Sequence, residues 1–190
     1  MSVLEIAMIG DPILRQRASE VSPTELRSPE VQQLIDDMID TMRDANGAGI
    51  AANQVSVAKR IAVVEVNDNP RYPYKPRIPL TVLVNPEIVP IGDDTVIVNE
   101  GCLSVPLRGD VERFVHIKLT YTDREGSPCE TALRGLTAAT MQHECDHLDG
   151  TLFVDRVADP RSLATWAEFD LHQRTAFVDR ISEFVARIGS

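Results

Sequence analysis

The sequence is short of cysteine, histidine and positive charge, and it has no long hydrophobic run. Three cysteines, Cys102, Cys129 and Cys145, cannot all pair within one chain, so nothing suggests a disulfide framework. The opening MSVLEIAMIGDP has no basic region and reaches acidic residues at once, unlike a signal or transit peptide. Reduced thiols in a cytoplasm are therefore expected. No apolar stretch approaches the roughly 20 residues that cross a bilayer, so no membrane partner is expected. Lys and Arg number 19 against 29 acidic residues, a net charge of −10. That balance argues against a surface built for phosphate backbones or anionic lipid. No repeat, low-complexity tract or linker divides the 190 residues. One domain over 1–190 is expected.

What is present suggests helices at both ends and strands between them. Ser28-Pro29-Glu30 has the order of an N-cap, a first-turn proline and a first-turn acid. Val31, Leu34, Ile35, Met38, Ile39 and Met42 then follow helical spacing until Asn46-Gly47. GAGIAANQ (47–54) is a small-residue stretch that lets backbone approach another group. Ile61–Val66 and Thr81–Val84 predict strands, separated by the proline-rich NDNPRYPYKPRIP (67–79), an extended surface loop by composition. Thr95–Val98 leads into EGCLSVP (100–106). Val115–Thr122 alternates, and Glu125-Gly126 predicts a turn into a partner strand near Cys129–Leu133. Helix resumes at Leu136, and a final helix is expected over about 161–188. Its Phe177, Ile181, Phe184, Val185 and Ile188 form one apolar stripe for core packing. The class is α+β.

QHECDHLDG (142–150) carries the chemistry. His143 and His147, at i and i+4, share a helical face and can reach one ion; Glu144 stands where it can take a proton from water at that ion. In a chain with 4 histidines, chance is a poor source of the full H-E-x-x-H pattern. A catalytic site of this kind wants a third protein ligand and one open position. The metzincin pattern needs a histidine where Phe153 stands, so it fails. Glu168, some twenty residues downstream, remains as the ligand a thermolysin-like endopeptidase would use. Cys102, after a glycine and strand-like sequence, is favoured by spacing. Cys145 points to the opposite side of the helix, and Cys129 sits at a turn.

GAGIAANQ (47–54), EGCLS (100–104) and QHECDHLDG (142–150) resemble, in order and separation, the three signature motifs of peptide deformylases, and GDPILRQRASEV resembles the family's opening. The likeness runs to about Val157. It implies a deformylase-like α+β fold, with mixed or antiparallel strands around a central H-E-x-x-H helix. It implies one divalent metal on Cys102, His143 and His147, Fe(II) in the cell with zinc, nickel or cobalt as substitutes. The implied reaction is hydrolytic removal of the formyl group from formylmethionine at the start of new polypeptides, releasing formate. A metal-held water is then the nucleophile and Glu144 the general base. Gln54 and the Leu103 N–H are the implied oxyanion donors, and Gly49 contacts the substrate through its backbone. Ile50 and Leu148, more often core residues, are weighed as substrate contacts, Ile50 being assigned to substrate. Glu100 is the supporting carboxylate and Arg108 its expected ion-pair partner, although LRGDVERF after EGCLSVP is about one residue shorter than the family's arginine-containing stretch. The implied partners are nascent chains, with the ribosome near its exit tunnel. A binding protein on a deformylase scaffold is the remaining alternative, and an intact Glu144 and Gln54 argue against it.

Overall fold

Ser28 opens the first long helix as its sequence predicts. Its hydroxyl accepts a hydrogen bond from the Val31 N–H at 3.2 Å, and Pro29 occupies the first turn. This helix, α2 (Pro29–Asp44), follows a single-turn α1 (Pro23–Leu26) in the computed structural model, which describes residues 2–67 and 72–190. It stops where Asn46 adopts a φ of 52°. One face buries Val31, Ile35, Met38, Ile39 and Met42.

Among the described residues there are eight strands: β1 (Gly49–Ala51), β2 (Ile61–Val66), β3 (Ile78–Pro90), β4 (Thr95–Cys102), β5 (Val105–Phe114), β6 (His116–Thr122), β7 (Pro128–Arg134) and β8 (Ala164–Thr165); β2, β3, β4, β6 and β7 fall on the expected segments, whereas β1, β5 and β8 were not expected. One sheet has the order β1-β2-β3-β6-β7 and the other β4-β5-β8; every ladder is antiparallel. The predicted turn at Glu125-Gly126 joins β6 to β7, with Gly126 at φ 92°.

β2 is apolar at every position but Glu65 because both of its faces are covered. Ile61 and Val63 pack with Val82 and Val84 against α2. Ala62, Val64 and Val66 pack with Leu83, Ile117 and Leu119 against the next helix, α3 (Gly135–Leu148). That helix carries the H-E-x-x-H pattern and is buried on both flanks. Ala138, Met141 and Leu148 face the larger sheet, while Leu136 and Ala139 join Val98, Phe169, Phe177, Ile181 and Phe184. A helix buried on both flanks must find partners there for its polar residues.

Two expectations need correction. The C-terminal segment is not one helix over 161–188: it divides into β8, α4 (Trp166–His172) and α5 (Arg174–Ile188). The free edge of β5 draws residues 164–165 into extended pairing, Leu107 with Thr165 and Arg108 with Ala164. The Thr165 hydroxyl then caps α4 by accepting from the Glu168 N–H at 3.3 Å. The apolar stripe does pack inward, with Phe177, Ile181 and Phe184 buried. In the proline-rich loop, residues 68–71 lie outside the described residues, but Tyr72 and Ile78 are buried rather than on the surface.

Leu83, fully buried between the sheet and α3, should cost about 2–5 kcal/mol when replaced by alanine. Leu171→Ala, at a side chain 73% exposed, should change stability by no more than about 0.5 kcal/mol. Urea titration of both variants checks the assignment of the core.

Candidate metal centre

His143 and His147 lie one turn apart on α3, their ring centres 5.0 Å apart and nearly perpendicular. Cys102 reaches them from the end of β4. There the β4–β5 ladder slips: Gly101 pairs with Arg108, but Cys102 pairs with Val105. Such an irregularity re-aims a side chain out of the ladder. The sulfur stands 3.3 Å from His147 Nε2, and the donor atoms of Cys102, His143 and His147 all fall within 4.8 Å of one another. Glu168 is not part of this group: its side chain is 63% exposed and faces His172 at 3.4 Å. Cys145 is buried apart from it, and burial pushes its thiol up to about 12.

A thiolate and two imidazoles are a donor set suited to zinc, iron and their neighbours. Two buried atoms beside it, Glu144 Oε2 and His147 Nδ1, have no protein partner. Burial pushes the Glu144 carboxyl up to about 7, against the pull of positive charge from His143 and Lys75. A buried carboxylate with an unpaired oxygen is costly unless positive charge or a proton comes to it. These residues fit a bound divalent cation with water alongside.

The layer behind the donors is ionic. His143 Nδ1 meets Glu100 Oε2 at 2.9 Å, and Arg113 donates to both oxygens of Glu100 at 2.7 and 2.8 Å. Arg113 also donates to Asp146 at 2.6 Å, and Arg156 grips the same carboxylate with two bonds of 2.6 Å. Burial would raise Glu100, but the Arg113 charge and hydrogen bonds hold it well below the usual carboxylate range. Burial would likewise lower His143, yet hydrogen bonds with Cys102 and Glu100 lift it to about 10.

Arg113, not Arg108, is therefore the partner of Glu100. Glu100 lies opposite Gly109, so residues 109, 111 and 113 share its face while 108 and 110 take the other. Arg108 instead donates to Asn99 Oδ1 at 2.9 Å and to its carbonyl at 2.7 Å. Its guanidinium is 4.4 Å from the ring centres of both Trp166 and Phe169.

The first motif supplies the remaining pieces. A Cβ on Gly49 would stand 2.4 Å from Glu144 Oε1, so glycine is what lets β1 pass the carboxylate. Gln54 Oε1 accepts from the Ala51 N–H at 2.9 Å, and Nε2 donates to Ser104 Oγ at 2.9 Å and to Cys102 Sγ at 3.4 Å. Asn53, which the sequence reading missed, donates through Nδ2 to the His147 carbonyl. Ile50 and Leu148 are fully buried in the core and do not line the cleft, which corrects the substrate contact expected of Ile50 and leaves Leu148 a core residue. In β1, alternation turns Gly49 toward α3 and Ile50 toward α2. The cleft beside the donors is lined by Ala48, Gly49, Gln54, Val98, Leu103 and Leu136, and also by Tyr74, Lys75, Ala139 and Thr140. Tyr74 and Lys75 come from the proline-rich loop, whose composition gave no sign of them.

Known proteins share this arrangement of sequence and fold. A family model described as polypeptide deformylase matches residues 3–162. The chain is 44% identical over 159 residues to a peptide deformylase of Leptospira biflexa, covering 83% of this chain and 89% of that protein. It is 45% identical over 170 residues to peptide deformylase 2 of Nostoc sp., covering 88% and 93%. A Met-Ala-Ser-bound class I type b peptide deformylase from Acinetobacter baumannii superposes with a TM-score of 0.79 at 46% identity, over 83% of this chain and all of that one. A peptide deformylase from Thermotoga maritima gives 0.74 at 34% identity, over 84% and 100%.

Cys102→Ser, His143→Ala and His147→Ala should each leave the purified protein with well under one metal per chain, whereas Glu168→Gln should keep its metal. Elemental analysis of anaerobically purified protein separates the two ligand sets. Zinc binding by the metal-stripped protein should also release protons, since a thiol ligand gives up its own. Identical calorimetric enthalpies in buffers of different ionisation enthalpy would contradict this.

Proposed function

The chain belongs to the polypeptide deformylase family, and from that premise we propose how its residues remove the formyl group from N-terminal formylmethionine and release formate. The observation that carries the proposal is Glu144, a buried carboxylate with one oxygen unpartnered beside Cys102, His143 and His147.

Cys102, His143 and His147 hold one divalent cation, Fe(II) in the cell, with zinc, nickel or cobalt as substitutes. When bound, that cation polarises the formamide carbonyl and makes nearby water more acidic. Glu144 takes the proton of the attacking water as the C–O bond forms. It then passes that proton to the amine nitrogen as the C–N bond breaks, so formate leaves and a free N-terminus remains. The Gln54 amide is fixed by the Ala51 N–H at Oε1 and by Ser104 Oγ, and the Nε2 hydrogen that otherwise makes the long bond to Cys102 Sγ turns to the oxyanion, joined by the Leu103 backbone N–H. Gly49 brings β1 close enough for its backbone to face the peptide. Glu100, tied to Arg113, holds the His143 ring at its inner nitrogen.

The peptide substrate is supported by the peptide-bound Acinetobacter deformylase. We assign the work to nascent chains in the cytoplasm near the ribosomal exit tunnel. The net charge of −10 fits a protein that does not grip nucleic acid itself, and no helix among the described residues is long and apolar enough to cross a membrane.

Glu144→Gln should retain one metal per chain and lose about 10²–10⁴-fold in formate release from formyl-Met-Ala-Ser. Gly49→Ala should also lower kcat, because the added methyl displaces the Glu144 carboxylate. Undiminished turnover by metal-loaded Glu144→Gln would remove Glu144 from the role of base.

A further inference from the structure

Lys75 is a cation set beside the apolar part of the cleft, and no role in the reaction has been given to it. Ala48, Val98, Leu136 and Ala139 give apolar surface beside the donor atoms, suited to a methionine side chain. Lys75, from the proline-rich loop, lines the same cleft and donates through Nζ to Thr140 Oγ1 at 2.9 Å. Thr140 spends its own hydrogen on the Leu136 carbonyl at 2.9 Å, so its lone pair is what receives the ammonium. The Tyr72 ring centre is 4.9 Å from Nζ.

An ammonium has three N–H donors, and the bond to Thr140 uses one. Among the described residues no carboxylate pairs with it. Lys75 keeps some solvent contact, yet burial pushes it down to about 8, with Glu100 and Glu144 pulling the other way. A cation so placed gains from any acceptor atom a ligand brings within reach. A methionine thioether is a weak acceptor, an all-carbon chain offers none, and a sulfoxide oxygen is a strong one.

We propose that Lys75 is a specificity residue that lets the cleft accept formyl peptides whose first side chain ends in a hydrogen-bond acceptor, oxidised formylmethionine above all. This rests on the deformylase reading. Lys75 and Thr140 put a polar pair next to the apolar Leu136 and Ala139 in the cleft, and the sulfoxide oxygen replaces the water that Lys75 loses when a side chain enters.

The test compares kcat/KM for three peptides, formyl-Met-Ala-Ser, its methionine-sulfoxide form and its norleucine form, in the metal-loaded parent and variants. The sulfoxide-to-norleucine ratio should fall about tenfold in Lys75→Met, the scale of a lost hydrogen bond to a charged group, and return in Lys75→Arg. One metal per chain and a parent-like near-ultraviolet circular dichroism spectrum report an intact cleft in each variant, and Lys75→Leu serves should Lys75→Met fail to fold. A ratio in the apolar variant within about twofold of the parent overturns the role of Lys75, on the same scale. No formate from any of the three peptides with the parent overturns the deformylase reading itself.

Discussion

A buried helix that carries two histidines and two acidic residues must find partners for them, and the site is arranged around the way it does so. Glu100 is the shared point: it takes both prongs of the Arg113 fork and meets the inner nitrogen of His143. Arg113 continues to Asp146 on α3, so one guanidinium ties strand β5 to strand β4 and to the helix. The side chains of Arg113 and Glu100 are only 2% and 7% exposed. Removing one member of such a pair strands the other charge and typically costs about 3–5 kcal/mol. The geometry of the donor atoms thus depends on an ion pair that touches none of the reacting atoms.

Close approach of backbone completes the arrangement. Gly49 admits the Glu144 carboxylate on one side, and Gly101 admits the Trp166 ring, which would lie 2.4 Å from an added Cβ. Trp166 and Phe169 both pack against the Arg108 guanidinium, and Arg108 holds Asn99 next to Glu100. These two aromatics belong to α4, beyond the residues 3–162 matched by the family model. The C-terminal segment is therefore packed against the strand that ends in Cys102, and its burial of Phe177, Ile181 and Phe184 anchors it over α3.

Much of this was legible in the sequence because local rules fix it. The N-cap at Ser28, the apolar run of β2, the β6–β7 turn and the spacing of His143, Glu144 and His147 each follow from a few adjacent residues. Cys102 came from a motif and a glycine, and it lies with the histidines. The Arg108 assignment failed through proximity in sequence. A tight turn at Leu103-Ser104 places odd-numbered residues of β5 opposite Glu100, so alternation alone points to Arg113. Lys75, Tyr74 and Asn53 had no such signal, since their positions depend on long-range packing of irregular segments. The break between β8, α4 and α5 was hidden because edge pairing with β5 overrides a continuous helical pattern.

The most direct test of this account is the zinc dissociation constant of Glu100→Gln, measured by competition with a chelator and accompanied by near-ultraviolet circular dichroism. If the buried carboxylate holds His143 in place, affinity should fall about 10–100-fold while the aromatic spectrum stays that of the parent. An unchanged dissociation constant would mean that the donors hold their geometry without Glu100, and the ion pair would then serve only to hold the fold together.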